Sequence, residues 1–183
     1  MALINGSNFS DILVDTAGDD IVTALAGDDF MYGGLGNDSF NGGEGIDTLD
    51  YSLSNQGITL EAKGFIQKAS GGIDSFFLVE NIVGDADYLN QIDASDGDGG
   101  VVTLDVNLSI NSLIVNDIPG LGTLNFGVFN FKDVTGTTQA DSISGDAQNN
   151  TLDGWSGNDY LFGDGGNDLL LGFTGNDTLD GWT

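Results

Sequence analysis

The sequence predicts an all-β protein: a right-handed parallel β-roll (β-solenoid) with wider, degenerate coils in the middle. Two observations lead to this prediction. Aspartates recur every nine residues at both ends of the chain, each followed two positions later by a large apolar residue. Glycine accounts for 30 of the 183 residues and proline for one. Glycine at a fixed spacing indicates repeated tight turns, so we expect short repeats that stack on one another.

The first repeat array occupies residues 1–50. Its period is set by five aspartates, nine residues apart: Asp11, Asp20, Asp29, Asp38 and Asp47. The apolar residues two positions later are Leu13, Val22, Met31, Phe40 and Leu49. A glycine precedes most of the aspartates by two positions: Gly18, Gly27, Gly36 and Gly45.

The second repeat array occupies residues 136–183 and follows the same rule. Its nine-residue positions are Asp141, Asn150, Asp159, Asp168 and Asp177. The apolar partners are Ile143, Leu152, Leu161, Leu170 and Leu179. The preceding glycines are Gly157, Gly166 and Gly175. Each array therefore holds five copies in unbroken register.

Each nonapeptide divides into a turn and a very short strand. Six residues rich in Gly and Asp predict the turn, and the remaining three predict a strand whose middle, apolar side chain points inward. Two nonapeptides then make one coil, so that turns two repeats apart stack on the same edge. One inward side chain per repeat is too little for a core, and stability must come from the stack.

The middle section, residues 51–135, lacks clean nonapeptides and reads as two degenerate copies at about 51–95 and 101–135. Strands are predicted at 57–60 and 101–104, where β-branched residues dominate. Two similar segments, 79–84 and 131–136, each lead into a turn and strand, at 90–93 and 141–144. A continuous solenoid with wider coils is our preferred interpretation, and an inserted globular β domain is the alternative.

Turn signals divide the middle section further. The run Asp96-Gly97-Asp98-Gly99-Gly100 predicts a loop between the two copies. The pair Pro119-Gly120 predicts the turn of a hairpin between 110–118 and 124–131.

The composition excludes several classes of function. The formal net charge is -26, with 29 acidic residues and three basic ones, so binding to nucleic acid phosphates is not expected. The chain has no Cys and no His, which argues against disulfides, zinc sites and the common catalytic triads, and we expect no enzyme. No apolar run reaches transmembrane length. Carboxylates this abundant oppose compaction unless cations compensate them.

The repeats resemble the RTX (repeats-in-toxin) family, the haemolysin-type calcium-binding nonapeptide repeats with the consensus Gly-Gly-x-Gly-x-Asp-x-U-x, where U is large and apolar. The copy at 33–41, Gly-Gly-Leu-Gly-Asn-Asp-Ser-Phe-Asn, matches it throughout. The resemblance implies Ca²⁺ as the cofactor, about four to six ions, each between turns two repeats apart. Oxygen from carboxylates and backbone carbonyls is the ligand type that Ca²⁺ prefers.

The resemblance also implies the ligands. The side-chain ligands would be Asp11, Asp20, Asp29, Asp38, Asp47, Asp141, Asn150, Asp159, Asp168 and Asp177. Backbone carbonyls would come from Gly33, Gly34, Gly36, Gly42, Gly43, Gly45, Gly154, Gly157, Gly163, Gly166, Gly172 and Gly175. The strongest candidates have an intact glycine frame: Asp38, Asp47, Asp159, Asp168 and Asp177. Asn150 offers a neutral oxygen, which predicts a weaker site.

By the same resemblance, we expect a calcium-binding module of a secreted or cell-surface protein that folds on binding Ca²⁺ and has a structural or adhesive role. Export by type I secretion is implied. The alternative function is a carbohydrate-binding module that uses the aromatics Trp155, Phe173 and Trp182. Besides calcium ions, glycans and other copies of the chain are the candidate partners. The sequence ends within a sixth repeat, Gly181-Trp182-Thr183, and we expect it to be a fragment of a longer polypeptide.

Overall fold

The computed structural model describes residues 1–95 and 101–182, so the loop predicted at 96–100 lies outside the described residues. The chain divides into two compact units. Unit 1 comprises Met1–Leu60 and Gly64–Asn90, and unit 2 comprises Glu61–Lys63 and Gln91–Thr183. The described residues contain no helix long and apolar enough to cross a membrane.

The strands of unit 1 are short and follow the predicted repeats. They are β1 (Leu3–Asn5), β2 (Ile12–Val14), β3 (Ile21–Ala26), β4 (Phe30–Tyr32), β5 (Ser39–Glu44), β6 (Thr48–Asp50), β7 (Ile58–Glu61), β8 (Phe65–Lys68), β9 (Ile73–Phe77) and β10 (Asn81–Val83). Strands β1 to β6 alternate between two sheets, and the sheet orders within the unit are β1-β3-β5-β9-β8-β7 and β2-β4-β6-β10.

Pairing in unit 1 is mainly parallel, with a shift of two nonapeptides. Ile21 in β3 is paired with Ser39 in β5, and Phe30 in β4 with Thr48 in β6. One coil therefore consists of two repeats, as the nine-residue period predicts. An antiparallel hairpin of β8 and β9 departs from this pattern and was not predicted from the sequence. Strand β9 nevertheless continues the parallel sheet by pairing with β5.

Unit 2 contains the strands of the second half. They are β11 (Gln91–Asp93), β12 (Thr103–Asn107), β13 (Ser112–Ile118), β14 (Gly122–Phe129), β15 (Asp133–Thr135), β16 (Ser142–Ser144), β17 (Thr151–Asp153), β18 (Tyr160–Phe162), β19 (Leu169–Leu171) and β20 (Thr178–Asp180). A single turn of 3-10 helix spans Leu108–Ile110. The sheet orders are β11-β15-β17-β19 and β14-β13-β12-β16-β18-β20.

The repeat strands of unit 2 are also parallel and shifted by two nonapeptides, as in the pairs Thr151 with Leu169 and Ser142 with Tyr160. Strands β12, β13 and β14 are antiparallel to one another. The predicted hairpin with its turn at Pro119-Gly120 is thereby confirmed. Its strand β12 pairs in parallel with β16, so the hairpin is attached to the sheet of the second array.

The core of each unit is a column of the predicted apolar residues. Most three-residue strands bury their middle side chain, as β4 does. The exceptions are β1, β19 and β20, whose middle residues Ile4, Leu170 and Leu179 are at least partly exposed, so the predicted inward positions of Leu170 and Leu179 are not buried. The fully buried members of the column are Val22, Met31, Phe40, Leu49, Ile143, Leu152 and Leu161. The predicted all-β fold with predominantly parallel strands is confirmed.

The middle section contributes strands to both units. In unit 1, β9 and β10 pair with β5 and β6 of the first array. In unit 2, β15 pairs with β17 of the second array. The strands predicted at 57–60, 90–93 and 101–104 correspond to β7, β11 and β12, with bounds that differ by at most three residues.

Candidate metal centres

Most repeat aspartates tie their turn to the chain 18 residues earlier, whereas the Oδ1 atom of Asp141 accepts the N–H of Leu104. In the first array, the Oδ1 atom of Asp47 accepts a hydrogen bond from the backbone N–H of Asp29 at 2.8 Å. In the second array, the Oδ1 atom of Asp159 accepts the N–H of Asp141 at 3.0 Å, and that of Asp177 accepts the N–H of Asp159 at 3.1 Å. The structure thus brings together the turns that were predicted to share an ion.

The second carboxylate oxygen separates the repeats into two groups. In four of them the Oδ2 atom is buried and has no hydrogen-bond partner among the described residues: Asp29, Asp47, Asp159 and Asp168. A buried acceptor without a donor costs free energy, more so when it carries charge, unless a cation satisfies it. We call these four the open aspartates.

The electrostatics of the open aspartates also favours a cation. Burial raises the pKa of Asp47, and the nearby carboxylates of Asp29 and Glu80 raise it further. The hydrogen bond from the Asp29 N–H lowers this pKa but does not cancel the increase. Burial likewise raises the pKa of Asp159, with the carboxylate of Asp177 acting in the same direction. A positive ion between the turns would relieve both the desolvation and the repulsion between carboxylates.

The turns of the open aspartates share a backbone conformation. In each of these turns, the residues at the second and fourth repeat positions have positive φ, and the turn of Asp177 has the same conformation. In chain order, the residue pairs are Leu25 and Gly27, Gly43 and Gly45, Trp155 and Gly157, Asp164 and Gly166, and Phe173 and Gly175. Carbonyl oxygens of one turn face the next turn on the same edge. A Cβ atom at Gly43 or Gly45 would collide with the carbonyl oxygen of Leu25 or Gly27, respectively.

The arrangement offers the ligands of a calcium site. Carboxylate and carbonyl oxygens lie between stacked turns, and hard oxygen ligands in a flexible array suit Ca²⁺ better than Mg²⁺, which requires a small octahedral cage. We call a turn with positive φ at its second and fourth repeat positions an open turn. In two turn pairs both members are open turns, Asp29 with Asp47 and Asp159 with Asp177. Within residues 1–95 and 101–182, no three carboxylate side chains group together in a way that could hold a metal.

In other repeats, the Oδ2 atom of the aspartate accepts hydrogen bonds from residues of its own turn. The Oδ2 atom of Asp20 accepts hydrogen bonds from the backbone N–H and the hydroxyl of Thr16, and this hydroxyl is the main reason that the pKa of Asp20 is lowered. Ser7 bonds to Asp11 and Thr137 bonds to Asp141 in the same way. We call these three the capped aspartates.

Asn150 is also capped, because its Oδ1 atom accepts the backbone N–H of Asp146 at 2.9 Å. Capping alone does not offset burial at every position: burial raises the pKa of Asp141 to about 6 although Thr137 bonds to it. Capped turns share a sequence signal: the second repeat position is Ser, Thr or Asp, and the fourth position is not glycine. The Asp20 turn is an exception to the second part of this rule, because its fourth position is Gly18.

Asp38 differs from both groups although its glycine frame is complete. Its Oδ2 atom lies 3.1 Å from the Nζ atom of Lys68, and the N–H of Gly34 donates to Asp15. The backbone N–H of Asp38 donates to Asp74, 36 residues later. Sequence reasoning missed Lys68 and Asp74, although Asp74 is in phase with the nine-residue period.

Glu80 is a further residue that the repeat pattern did not reveal. Its Oε2 atom accepts the backbone N–H of Asp47 at 2.8 Å, the bond that an aspartate 18 residues later makes elsewhere in the array. Glu80 lies two positions before Ile82, whose side chain is buried and whose strand pairs with β6. A repeat aspartate also lies two positions before its buried apolar residue, and this shared spacing is the signal in the sequence that could have identified Glu80.

A family model for the RTX calcium-binding nonapeptide repeat matches the sequence four times, at residues 5–40, 15–49, 135–170 and 156–183. These segments together cover just over half of the chain. The chain belongs to the RTX calcium-binding repeat family. The matched segments contain all four open aspartates, and calcium is therefore the cofactor that these RTX repeats imply.

Three solved structures are similar to this RTX chain. The AlgE6R3 subunit of the Azotobacter vinelandii mannuronan C5-epimerase is 21% identical, with 67% of this chain and 72% of that chain covered and a TM-score of 0.38. The extracellular lipase LipA of Serratia marcescens is 21% identical, with 95% and 28% covered and a TM-score of 0.38. The AlgE6R2 subunit is 22% identical, with 70% and 84% covered and a TM-score of 0.22. No match was found among curated protein sequences.

Proposed function

We propose that this RTX chain is a calcium-dependent structural module of a secreted or cell-surface protein, in which Ca²⁺ binds between the stacked turns of the two arrays and completes the fold. The observation that supports it is the set of four buried Oδ2 atoms at repeat aspartates that have no hydrogen-bond partner within the described residues. The role is structural rather than catalytic, and it extends to adhesion if the surface of the folded module binds a partner.

The ions are held best where both turns are open. In the first array the ligands are the carboxylates of Asp29 and Asp47 with carbonyl oxygens of their turns. In the second array they are Asp159 and Asp177, and Asp168 forms a weaker site with the neutral Asn150. The arrays at 1–50 and 136–183 carry the ions, and the section at 51–135 lacks the glycine frame.

Calcium supplies positive charge at these turns, and its binding energy adds to folding stability because the ligands converge only in the folded coil. Most of the module would remain unfolded where calcium is scarce and would fold in the millimolar calcium outside the cell. Sites of extracellular modules have dissociation constants on the order of 10⁻⁴–10⁻³ M, which suits such a switch. Type I secretion of an unfolded chain is the export route that fits this behaviour.

A calcium titration by isothermal calorimetry tests the proposal, with Asp159→Asn and Asp20→Asn as a matched pair. Both substitutions keep the Oδ1 acceptor of the turn-to-turn hydrogen bond, because asparagine retains one carbonyl oxygen. We expect several ions to bind to the original chain. Asp159→Asn should lose an ion or bind it at least tenfold more weakly, because its Oδ2 atom is open.

Asp20→Asn should retain the number and affinity of the ions, because Thr16 already occupies the Oδ2 atom of Asp20. Equal losses in the two variants would contradict the assignment of open and capped turns. The absence of calcium heat in the original chain would contradict the proposed function itself.

Glycan binding is a second candidate, supported by Trp155 and Phe173. Their rings lie edge to face with centroids 6.4 Å apart, and 45% and 65% of the two residues is exposed. Both have positive φ, an uncommon and costly conformation for bulky side chains. Exposed aromatics form platforms for sugars. We expect Trp155→Ala to abolish binding to a glycan array; binding that survives this change would exclude the platform.

A further inference from the structure

Lys68 is a lysine whose side chain is completely buried between two carboxylates. Its Nζ atom lies 3.1 Å from the Oδ2 atom of Asp38 and 2.6 Å from the Oδ1 atom of Asp74, and all three side chains have zero exposure. Burying an ammonium group is costly unless it is paired and hydrogen-bonded. An arrangement of this kind therefore needs a structural reason.

The carboxylate oxygens of this cluster are all partnered. Asp38 uses Oδ1 to accept the N–H of Asp20 and Oδ2 to accept Lys68. Asp74 uses Oδ1 to accept the N–H of Asp38 and Lys68, and Oδ2 to accept the hydroxyl of the buried Tyr51 at 2.6 Å. Asp47 differs from this cluster, because its Oδ2 atom has no hydrogen-bond partner in the part of the chain that the structure describes.

The β8–β9 hairpin delivers both the lysine and the second carboxylate. Lys68 is the last residue of β8, and Asp74 lies in β9. The turn between the two strands contains Gly71 and Gly72, which have positive φ, and it is closed by a hydrogen bond from the backbone N–H of Lys68 to the carbonyl oxygen of Gly72. Asp74 then takes the place of a repeat aspartate, because its Oδ1 atom accepts the N–H of Asp38 as Asp38 accepts that of Asp20. The hairpin thus replaces a nonapeptide turn and carries its own cation.

We propose that the Lys68 ammonium takes the place of calcium between the turns of Asp38 and Asp74, so that this edge of unit 1 folds without the metal. The edge also contains Asp20, which Thr16 caps. The opposite edge contains the open aspartates Asp29 and Asp47. That this opposite edge requires calcium rests on the proposed function, whereas the role of Lys68 as a counter-ion does not.

The first test measures unfolding in excess chelator for Lys68→Met, with Lys63→Met as the control. Methionine retains the apolar stem of lysine and removes the charge, and Lys63 is exposed. Removing one partner of a buried ion pair leaves uncompensated charge, so Lys68→Met should lower the folded-to-unfolded ratio of unit 1 by roughly 100-fold or more. Lys63→Met should stay within about threefold. A Lys68→Met variant as stable as the control would overturn the proposal.

The second test is the variant Lys68→Met/Asp38→Asn/Asp74→Asn, which removes both charges together with the ammonium. Its stability in chelator should return to within about tenfold of the original chain, because the cluster then contains no buried charge. If it is no more stable than Lys68→Met, the lysine acts by packing and the counter-ion role is wrong.

Calcium stoichiometry completes the test. Lys68→Met should bind one ion more than the original chain, since two buried carboxylates in stacked turns are left without a cation, and the triple variant should not. If Lys68→Met fails to fold in chelator, calcium is then added to both variants. Folding of Lys68→Met that calcium restores, with no such calcium effect on the triple variant, supports the proposal. Lys68→Met that stays unfolded in calcium contradicts it. A chain that binds no calcium at all would refute the proposed function while the chelator comparison still decides the role of Lys68.

Discussion

Removal of calcium is expected to unfold the second array, residues 136–182, while part of unit 1 retains protected amides. Residues 136–183 contain eight aspartates and no lysine or arginine, so no side chain of the array can replace a bound cation. Without calcium, the stacked carboxylates of Asp159 and Asp177 repel one another in a partly buried site. The physical reason for unfolding is thus the loss of both ligand bonds and charge compensation.

Amide hydrogen exchange in calcium and in excess chelator measures this effect segment by segment. Amides of β17 to β20 should lose most of their protection in chelator, whereas those of β5 and β9, beside Lys68, should lose much less. Circular dichroism of the same samples should show a loss of β-structure. Equal protection in the second array under both conditions would mean that its nonapeptides form stable turns without metal.

Two controls separate a specific site from general charge screening. Sodium chloride at high concentration shortens the range of repulsion between exposed charges but offers no ligand geometry. Magnesium supplies the same charge as calcium but sheds its water reluctantly and requires a smaller octahedral site. We expect neither ion to restore protection of β17 to β20. Recovery in sodium chloride alone would assign the calcium effect to screening.

The parts of the fold that the sequence predicted are those set by the period. A repeat of nine residues determines which side chain near the start of each short strand points inward, so burial of Phe40 and Leu152 followed directly from their positions. The same period predicted that turns 18 residues apart meet, because two repeats make a coil. These features depend on local spacing, which the sequence displays.

The parts that could not be predicted depend on tertiary contacts. Leu25 adopts positive φ where glycine is the usual residue, because its turn stacks against the turn of Gly43; residue type alone predicts the opposite. The intact frame of Asp38 predicted a strong metal site, yet the oxygen concerned contacts Lys68, which is 30 residues away in sequence and outside the repeat pattern. A repeat consensus describes turns and cannot reveal which donor reaches them from elsewhere.

Gly45→Ala is expected to destabilise unit 1 by about 2–5 kcal/mol, through backbone strain and overpacking together. Gly45 has a φ of +141°, and a Cβ atom there would overlap the carbonyl oxygen of Gly27 in the neighbouring turn. Backbone atoms cannot move aside as the end of a flexible side chain can. The turns of Asp29 and Asp47 must then separate, which should also weaken calcium binding between them.

Gly64→Ala is the matched control, because Gly64 also has positive φ, +78°, but a Cβ atom there meets no atom within 4 Å. It should cost only the conformational penalty of about 1–2 kcal/mol and leave calcium binding unchanged. Chemical denaturation of both variants, with and without calcium, separates the two contributions. If Gly45→Ala costs no more than Gly64→Ala, the turns do not need to approach as closely as the structure shows. If it costs more but leaves the calcium affinity unchanged, the close approach serves the stacking of the coils, and the ion between Asp29 and Asp47 does not depend on it.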